Sequence, residues 1–133
     1  MIPTNETTLN ESISFTTLPS LNYKMDMVEH IRGKTDELEA MKQVCYKILM
    51  TERYQYLIYS WNYGIELEDL FGEPMTYVIP IVQKRIIDAL TADDRVESVT
   101  DFKFNTDKRH DLAVEFTVHT IFGDFDMEKN LNV

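Results

Sequence analysis

Leu112-Ala113-Val114-Glu115-Phe116-Thr117-Val118-His119 sets an apolar side chain at every second position. An extended backbone throws successive side chains to opposite faces, so Leu112, Val114, Phe116 and Val118 share one side and Ala113, Glu115, Thr117 and His119 the other, as in a half-buried strand. Downstream, Gly123-Asp124 is predicted to turn the chain. Phe125, Met127, Leu131 and Val133 then alternate with Asp126, Glu128, Asn130 and Asn132 in a second strand. Upstream, Phe102 and Phe104 alternate in a third strand, whose phase breaks at Val99 and predicts a bend or bulge there. Residues 105–111 read as a polar connection. A meander of three antiparallel strands results, and residues 125–133 are expected to leave unpaired amides and carbonyls along an edge.

Two helices precede the meander. Asp36 is placed to cap the first, with Glu39 three residues on to reach back in a capping box. Leu38, Met41, Val44, Cys45, Ile48 and Leu49 share one face at the 3.6-residue period, opposite Lys42 and Lys47. Pro74 leads into the second helix, where Val78, Val82, Ile86, Ala89 and Leu90 form the buried stripe. Pro80 is expected in its first turn, where a missing amide costs little. Between the helices, residues 66–71 read as a short helical turn ending at Gly72, and before them Tyr23, Met25 and Met27 alternate ahead of Gly33 as a strand or short hairpin. Residues 1–22, dense in Thr, Ser and Asn with prolines at 3 and 19, read as an extended arm. That arm is either a disordered terminus or a segment that orders against a neighbouring chain. The expected class is α+β: two main helices on a small antiparallel sheet, in a domain spanning residues 23–133.

A length of 133 residues suits one domain and leaves no room for two well-formed cores. The 23 acidic side chains against 13 basic ones give a formal charge of −10, which repels phosphate backbones and anionic lipid. Nucleic acid and membrane surfaces are therefore poor partners. No apolar stretch approaches the roughly 20 residues of a membrane span, and the first residues lack the basic flank and apolar run of a secretory signal. Synthesis in a cytoplasm without export is expected. Cys45, the single cysteine, excludes an internal disulfide and falls on the apolar stripe of the first helix, where it reads as inert packing.

His30, His110 and His119 are scattered without ligand-like pairing, so no metal site is expected. The glycines at 33, 64, 72 and 123 are isolated, so there is neither a P-loop nor a dinucleotide fingerprint, and no cofactor is expected. Glu52, Glu66 and Asp69 lie near aromatic residues and offer the carboxylates a cell-wall glycoside hydrolase would need. Among 23 acids such a grouping arises through abundance alone, and a solvated acidic surface is the simpler account. No catalytic residue is assigned.

Interaction chemistry stands out instead. Residues 53–63 combine Arg53 with Tyr54, Tyr56, Tyr59, Trp61 and Tyr63, the residue types that dominate binding hot spots. Either these rings meet a partner, or Tyr56, Tyr59 and Trp61 cap the domain's own core. Beyond the second helix, Asp93, Asp94, Glu97 and Asp101 form an acidic corner interrupted by Arg95. The edge at residues 125–133 is a further candidate, because an incoming extended segment can add to it through main-chain hydrogen bonds.

Several stretches together carry a family likeness: Gly33-Lys34-Thr35-Asp36, Glu39-Ala40-Met41-Lys42-Gln43, Thr51-Glu52-Arg53-Tyr54, Tyr59-Ser60-Trp61-Asn62-Tyr63-Gly64-Ile65-Glu66, Asp94-Arg95-Val96-Glu97-Ser98-Val99 and Phe116-Thr117-Val118-His119-Thr120-Ile121-Phe122-Gly123. Over residues 23–133 the chain resembles the small baseplate proteins of PBSX-type defective prophages and related contractile tails. More distantly it is similar to the gene-25-like baseplate wedge proteins. The resemblance implies a compact α+β sheath initiator in the baseplate of a phage or tail-like particle assembled in a bacterial host's cytoplasm. It implies larger wedge subunits, the tail sheath protein and tube or hub proteins as partners, six copies per baseplate, and a sheet that receives extended arms from the first sheath ring. The wider family's Glu-Pro-Arg after the second long helix reads Asp93-Asp94-Arg95 here, so only Arg95 carries over. On this basis Glu52, Arg53, Tyr54, Trp61, Tyr63, Asp93, Asp94 and Arg95 are expected at the wedge, and Phe125, Met127, Lys129, Leu131 and Val133 on the sheath-contacting strand. No catalytic residue is transferred by the likeness. The rival class is a cytoplasmic adaptor or anti-adaptor on a similar scaffold, because a fold does not fix a function.

Overall fold

Leu112, Val114, Phe116 and Val118 are all buried, on one face of a strand spanning Asp111–Thr120. A computed structural model describes residues 20–25, 31–108 and 110–133. In chain order the elements are β1 Asn22–Met25, β2 Ile31–Thr35, α1 Glu37–Met50, a 3-10 turn Glu68–Leu70, α2 Met75–Thr91, β3 Val96–Lys108, β4 Asp111–Thr120 and β5 Gly123–Asn132. The sheet order is β3-β4-β5, antiparallel throughout, and β1 pairs with β2 in a separate hairpin. The α+β architecture, with two main helices on a three-stranded meander, is the one the periodicities predict.

Both helices lay their apolar stripes on the inner face of the sheet. Met41, Cys45, Ile48 and Leu49 of α1 and Val78, Val82, Ile86, Ala89 and Leu90 of α2 join the inward residues of β4 in one core. Phe116 at its centre stacks on Phe102 with ring centroids 5.5 Å apart. Burial of the Cys45 side chain pushes its thiol up to about 12, so it packs as a small hydrophobe.

Several local details differ from expectation. Asp36 is the N-cap of α1, but its Oδ1 accepts from the N–H of Glu37 at 2.7 Å, and Glu39 pairs with Lys42 at 3.1 Å instead of reaching back. Ser20, buried, completes the cap: its hydroxyl donates to Asp36 Oδ1 at 2.6 Å and accepts from Glu37 N–H at 3.2 Å. Residues 1–19 of the expected arm lie outside the described residues, as does Met27. Gly33 falls inside β2, at the register shift of the β1–β2 hairpin, where φ is +67°. Pro80 is the sixth residue of α2, beyond its first turn, so the Thr76 carbonyl has no amide four residues on to receive. The phase break near Val99 comes from extra β3 residues on either side of it, between Val96 and Ser98 and between Thr100 and Lys103. Residues 105–108 continue β3 instead of forming a loop, and the turn after β4 is Ile121-Phe122, with Gly123 already paired to Thr120.

Candidate functional site

The sheet has two edges, and their backbones differ. β3 shifts register three times against β4 and holds Asp101 at φ +57°, so its outer hydrogen-bonding groups do not form a regular row. β5 pairs with β4 residue for residue from Gly123↔Thr120 to Asn132↔Asp111 without a shift. Val133 N–H donates to His110 C=O at 2.7 Å across that ladder. Antiparallel bonding alternates, so Gly123, Phe125, Met127, Lys129 and Leu131 also turn their amides and carbonyls toward β4. Asp124, Asp126, Glu128, Asn130 and Asn132 turn theirs outward, and no strand among the described residues pairs with them.

The side chains sort the same way. Phe125 and Leu131 are buried against the helices, Met127 and Val133 are half-buried, and the outward set is exposed. Lys129 belongs to the inner face, where its amine lies 3.2 Å from Met50 Sδ at the end of α1. Burial lowers its pKa, against the opposing pull of Glu52. An inward charge on an edge strand hinders indiscriminate pairing. Beside this edge, Met25, Tyr46, Gln43, Asp126 and Met127 line an open cleft of about 320 Å³ between the β1–β2 hairpin, α1 and β5. Gln43 spaces the hairpin from α1, its side chain bonding Met25 N–H at 2.8 Å and Tyr23 C=O at 2.7 Å.

The second candidate is the segment between α1 and the 3-10 turn. Its base is locked by Arg53 N–H to Ile65 C=O at 3.1 Å and Ile65 N–H to Thr51 C=O at 3.0 Å. Arg53 Nε and Nη2 donate to the carbonyls of Gly64 and Asn62 at 3.2 and 3.4 Å, so this guanidinium staples its own loop. Glu52 Oε1 accepts the amides of Leu67 and Glu68 at 2.8 and 3.2 Å. Tyr63, half-buried, packs against the core and stacks on Tyr59 at 4.5 Å. Tyr54, Tyr56, Tyr59 and Trp61 are exposed, Trp61 by 76%, which overturns the alternative that Tyr56, Tyr59 and Trp61 cap the core. Leu57 and Ile58 form the tip, 103% and 85% exposed. They were missed as site residues, although residues 54–65 hold no charge at all in a chain that is 27% charged.

At the corner after α2, Arg95 forks onto Asp93: Nε to Oδ1 at 2.9 Å and Nη2 to Oδ2 at 2.7 Å. Burial raises the Asp93 pKa, but the Arg95 hydrogen bonds and charge outweigh it and hold the carboxyl below its ordinary value. Asp94 alone of the three points to solvent. Two of the carboxylates weighed for hydrolysis are already occupied: Glu52 holds backbone amides, and Asp69 is clamped by Arg85, whose Nη2 lies 2.8 Å from Oδ2. Among the described residues no group of three His, Cys, Asp or Glu is arranged to hold a metal.

The family described as contractile injection system sheath initiator matches residues 21–123. Over 96 residues the chain is 41% identical to a protein called Phage-like element PBSX protein XkdS of Bacillus subtilis (strain 168), a match covering 69% of this chain and 67% of that one.

Proposed function

The chain belongs to the sheath initiator family of contractile injection systems, and from that premise we propose that it starts the tail sheath by lending β5 as a template strand. Its role is that of a phage tail sheath initiator working among other tail and baseplate components. In the finer reading, an extended arm of the first sheath ring adds to the outward edge of β5, and the loop at residues 54–61, with exposed Asp94 beside the Arg95 staple, seats the domain against a larger wedge subunit. The observation that carries this is the unshifted β4–β5 register, which aligns outward amides and carbonyls from Asp124 to Asn132 in one usable row. Each net hydrogen bond gives about 1 kcal/mol, so a registered arm gains several kcal/mol before its side chains are buried. The product is position, and no step of it needs a reacting group.

Deleting residues 125–133 would test the template but would also tear Phe125 and Leu131 from the core. Glu128→Pro is cleaner, because it removes one outward N–H and leaves the bonds to β4. Tails assembled with this variant are expected to contain baseplates without sheath by electron microscopy, while the variant itself stays folded. Full-length sheath on those baseplates would remove β5 from the mechanism.

A further inference from the structure

On the solvent face of the sheet, Glu128 of β5 stands directly opposite Glu115 of β4. Their pair is of the non-hydrogen-bonded kind, the one that brings side chains closest, and like charges so placed are destabilising. Neither carboxylate has an ion pair among the described residues, but Glu115 has Lys103 of β3 directly opposite it on its other side, whereas Glu128, on the edge, has only Glu115. Asp126 lies on the same row, its Oδ1 accepting from Thr117 Oγ1 at 2.6 Å, and Asp124 is 3.0 Å from His119 Nδ1. Asp101, Glu115, Asp126 and Glu128 line a shallow depression there, with Lys103 as its one basic residue. The outward backbone row and this acidic row belong to the same residues of β5. A strand that pairs with the edge therefore sets alternate side chains beside Asp126 and Glu128. Its intervening side chains turn to the other face, toward Met127 and the open cleft bounded by Tyr46 and Met25.

We propose that the strand β5 admits is amphipathic and cationic, with Lys or Arg at alternate positions opposite Asp126 and Glu128 and an apolar side chain between them entering the cleft beside Met127. Such a strand relieves the Glu115–Glu128 repulsion that the isolated domain carries. A second copy of β5 would set acid against acid and bring a second Lys129 inward, so the same residues disfavour pairing between copies. This rests on the template reading, and it names the partner's chemistry: an extended arm of the sheath subunit with a basic solvent face.

The test tethers a nine-residue strand to residue 133 of the full chain through a flexible Gly-Ser linker, which raises its effective concentration to roughly the millimolar range. One version alternates Lys with Val and the other Glu with Val, and amide hydrogen exchange is read at Asp126, Glu128 and Asn130. In low salt the Lys version should protect these amides at least about ten-fold more than the Glu version, and the advantage should shrink in 1 M salt as exposed charges are screened. Glu115→Gln with Glu128→Gln, both on the exposed face, should reduce that advantage by about 1.4- to 5-fold per charge removed. Equal protection by both versions overturns the charge preference and leaves the template reading standing. No protection by either overturns the template reading and the preference with it.

Discussion

Arg95 and Asp93 lie two residues apart, and their side chains are only 16% and 13% exposed. A pair so placed is worth more than an exposed one, at about 0.2 to 1 kcal/mol, and less than the 3 to 5 lost on breaking a fully buried one. Arg95→Ala should destabilise the domain by about 1 to 3 kcal/mol in urea titrations at neutral pH. Because the Asp93 pKa in the fold lies below its ordinary 3.8, its contribution is complete above that value and is lost as pH falls through the folded-state pKa. Without the Arg95 side chain, the backbone amide of residue 95 can still donate to Asp93 Oδ1, but burial is opposed less strongly and the Asp93 pKa rises from its value in the parent fold. The gap between the two proteins is therefore largest near neutrality and narrows below about pH 4. A gap that does not change with pH would show that Arg95 acts through packing alone. Arg53 and Glu52 follow the same logic, since Arg53 meets carbonyls of its own loop and Glu52 the amides that open the 3-10 turn. The sequence offers all three as contacts because residue type says nothing about whether a donor is already occupied.

The loop at residues 52–65 is an element without helix or strand, held by its base. Gly64 makes the base possible: its φ is +91°, and a Cβ there would lie 2.6 Å from the Thr51 carbonyl oxygen, a backbone atom that cannot swing away. Gly64→Ala should lower stability by more than about 2 kcal/mol, from the left-handed backbone and the clash together. Thermal unfolding checks this, and an unchanged midpoint would mean that the base can shift at no cost. The regular elements were legible because their signals are local. The stripes of α1 and α2 and the alternation of β4 and β5 repeat within a few residues, and every buried position predicted for α2 and β4 is buried. Pro80 lies deeper in its helix than expected because α2 already starts at Met75, while the register shifts of β3 flank Val99, where the broken phase predicts a bend or bulge.

Across the molecule, the two candidate surfaces differ in chemistry. One is an acidic strand edge and the other an uncharged aromatic projection, joined through Met50, Glu52 and Lys129. That division suits the proposed role, in which the domain is held on one side and offers a strand on another. Leu57→Ser with Ile58→Ser removes only fully or mostly exposed apolar surface, so the unfolding free energy should hold to within about 0.5 kcal/mol. The amount of the protein recovered in purified baseplates should fall by more than ten-fold, as expected of a hot-spot loss above about 1.4 kcal/mol. Undiminished recovery would take the loop out of the interface. By itself the sequence determined the class of fold, the buried faces of its helices and strands and the family likeness, because periodicity and residue identity are properties of neighbouring positions. Tertiary structure alone decided that Tyr63 turns inward while Leu57 and Ile58 project, that Arg53 and Arg95 are spent at home, and that Glu128 faces Glu115. These outcomes depend on which distant segments meet after chain closure, and a local pattern carries no record of that.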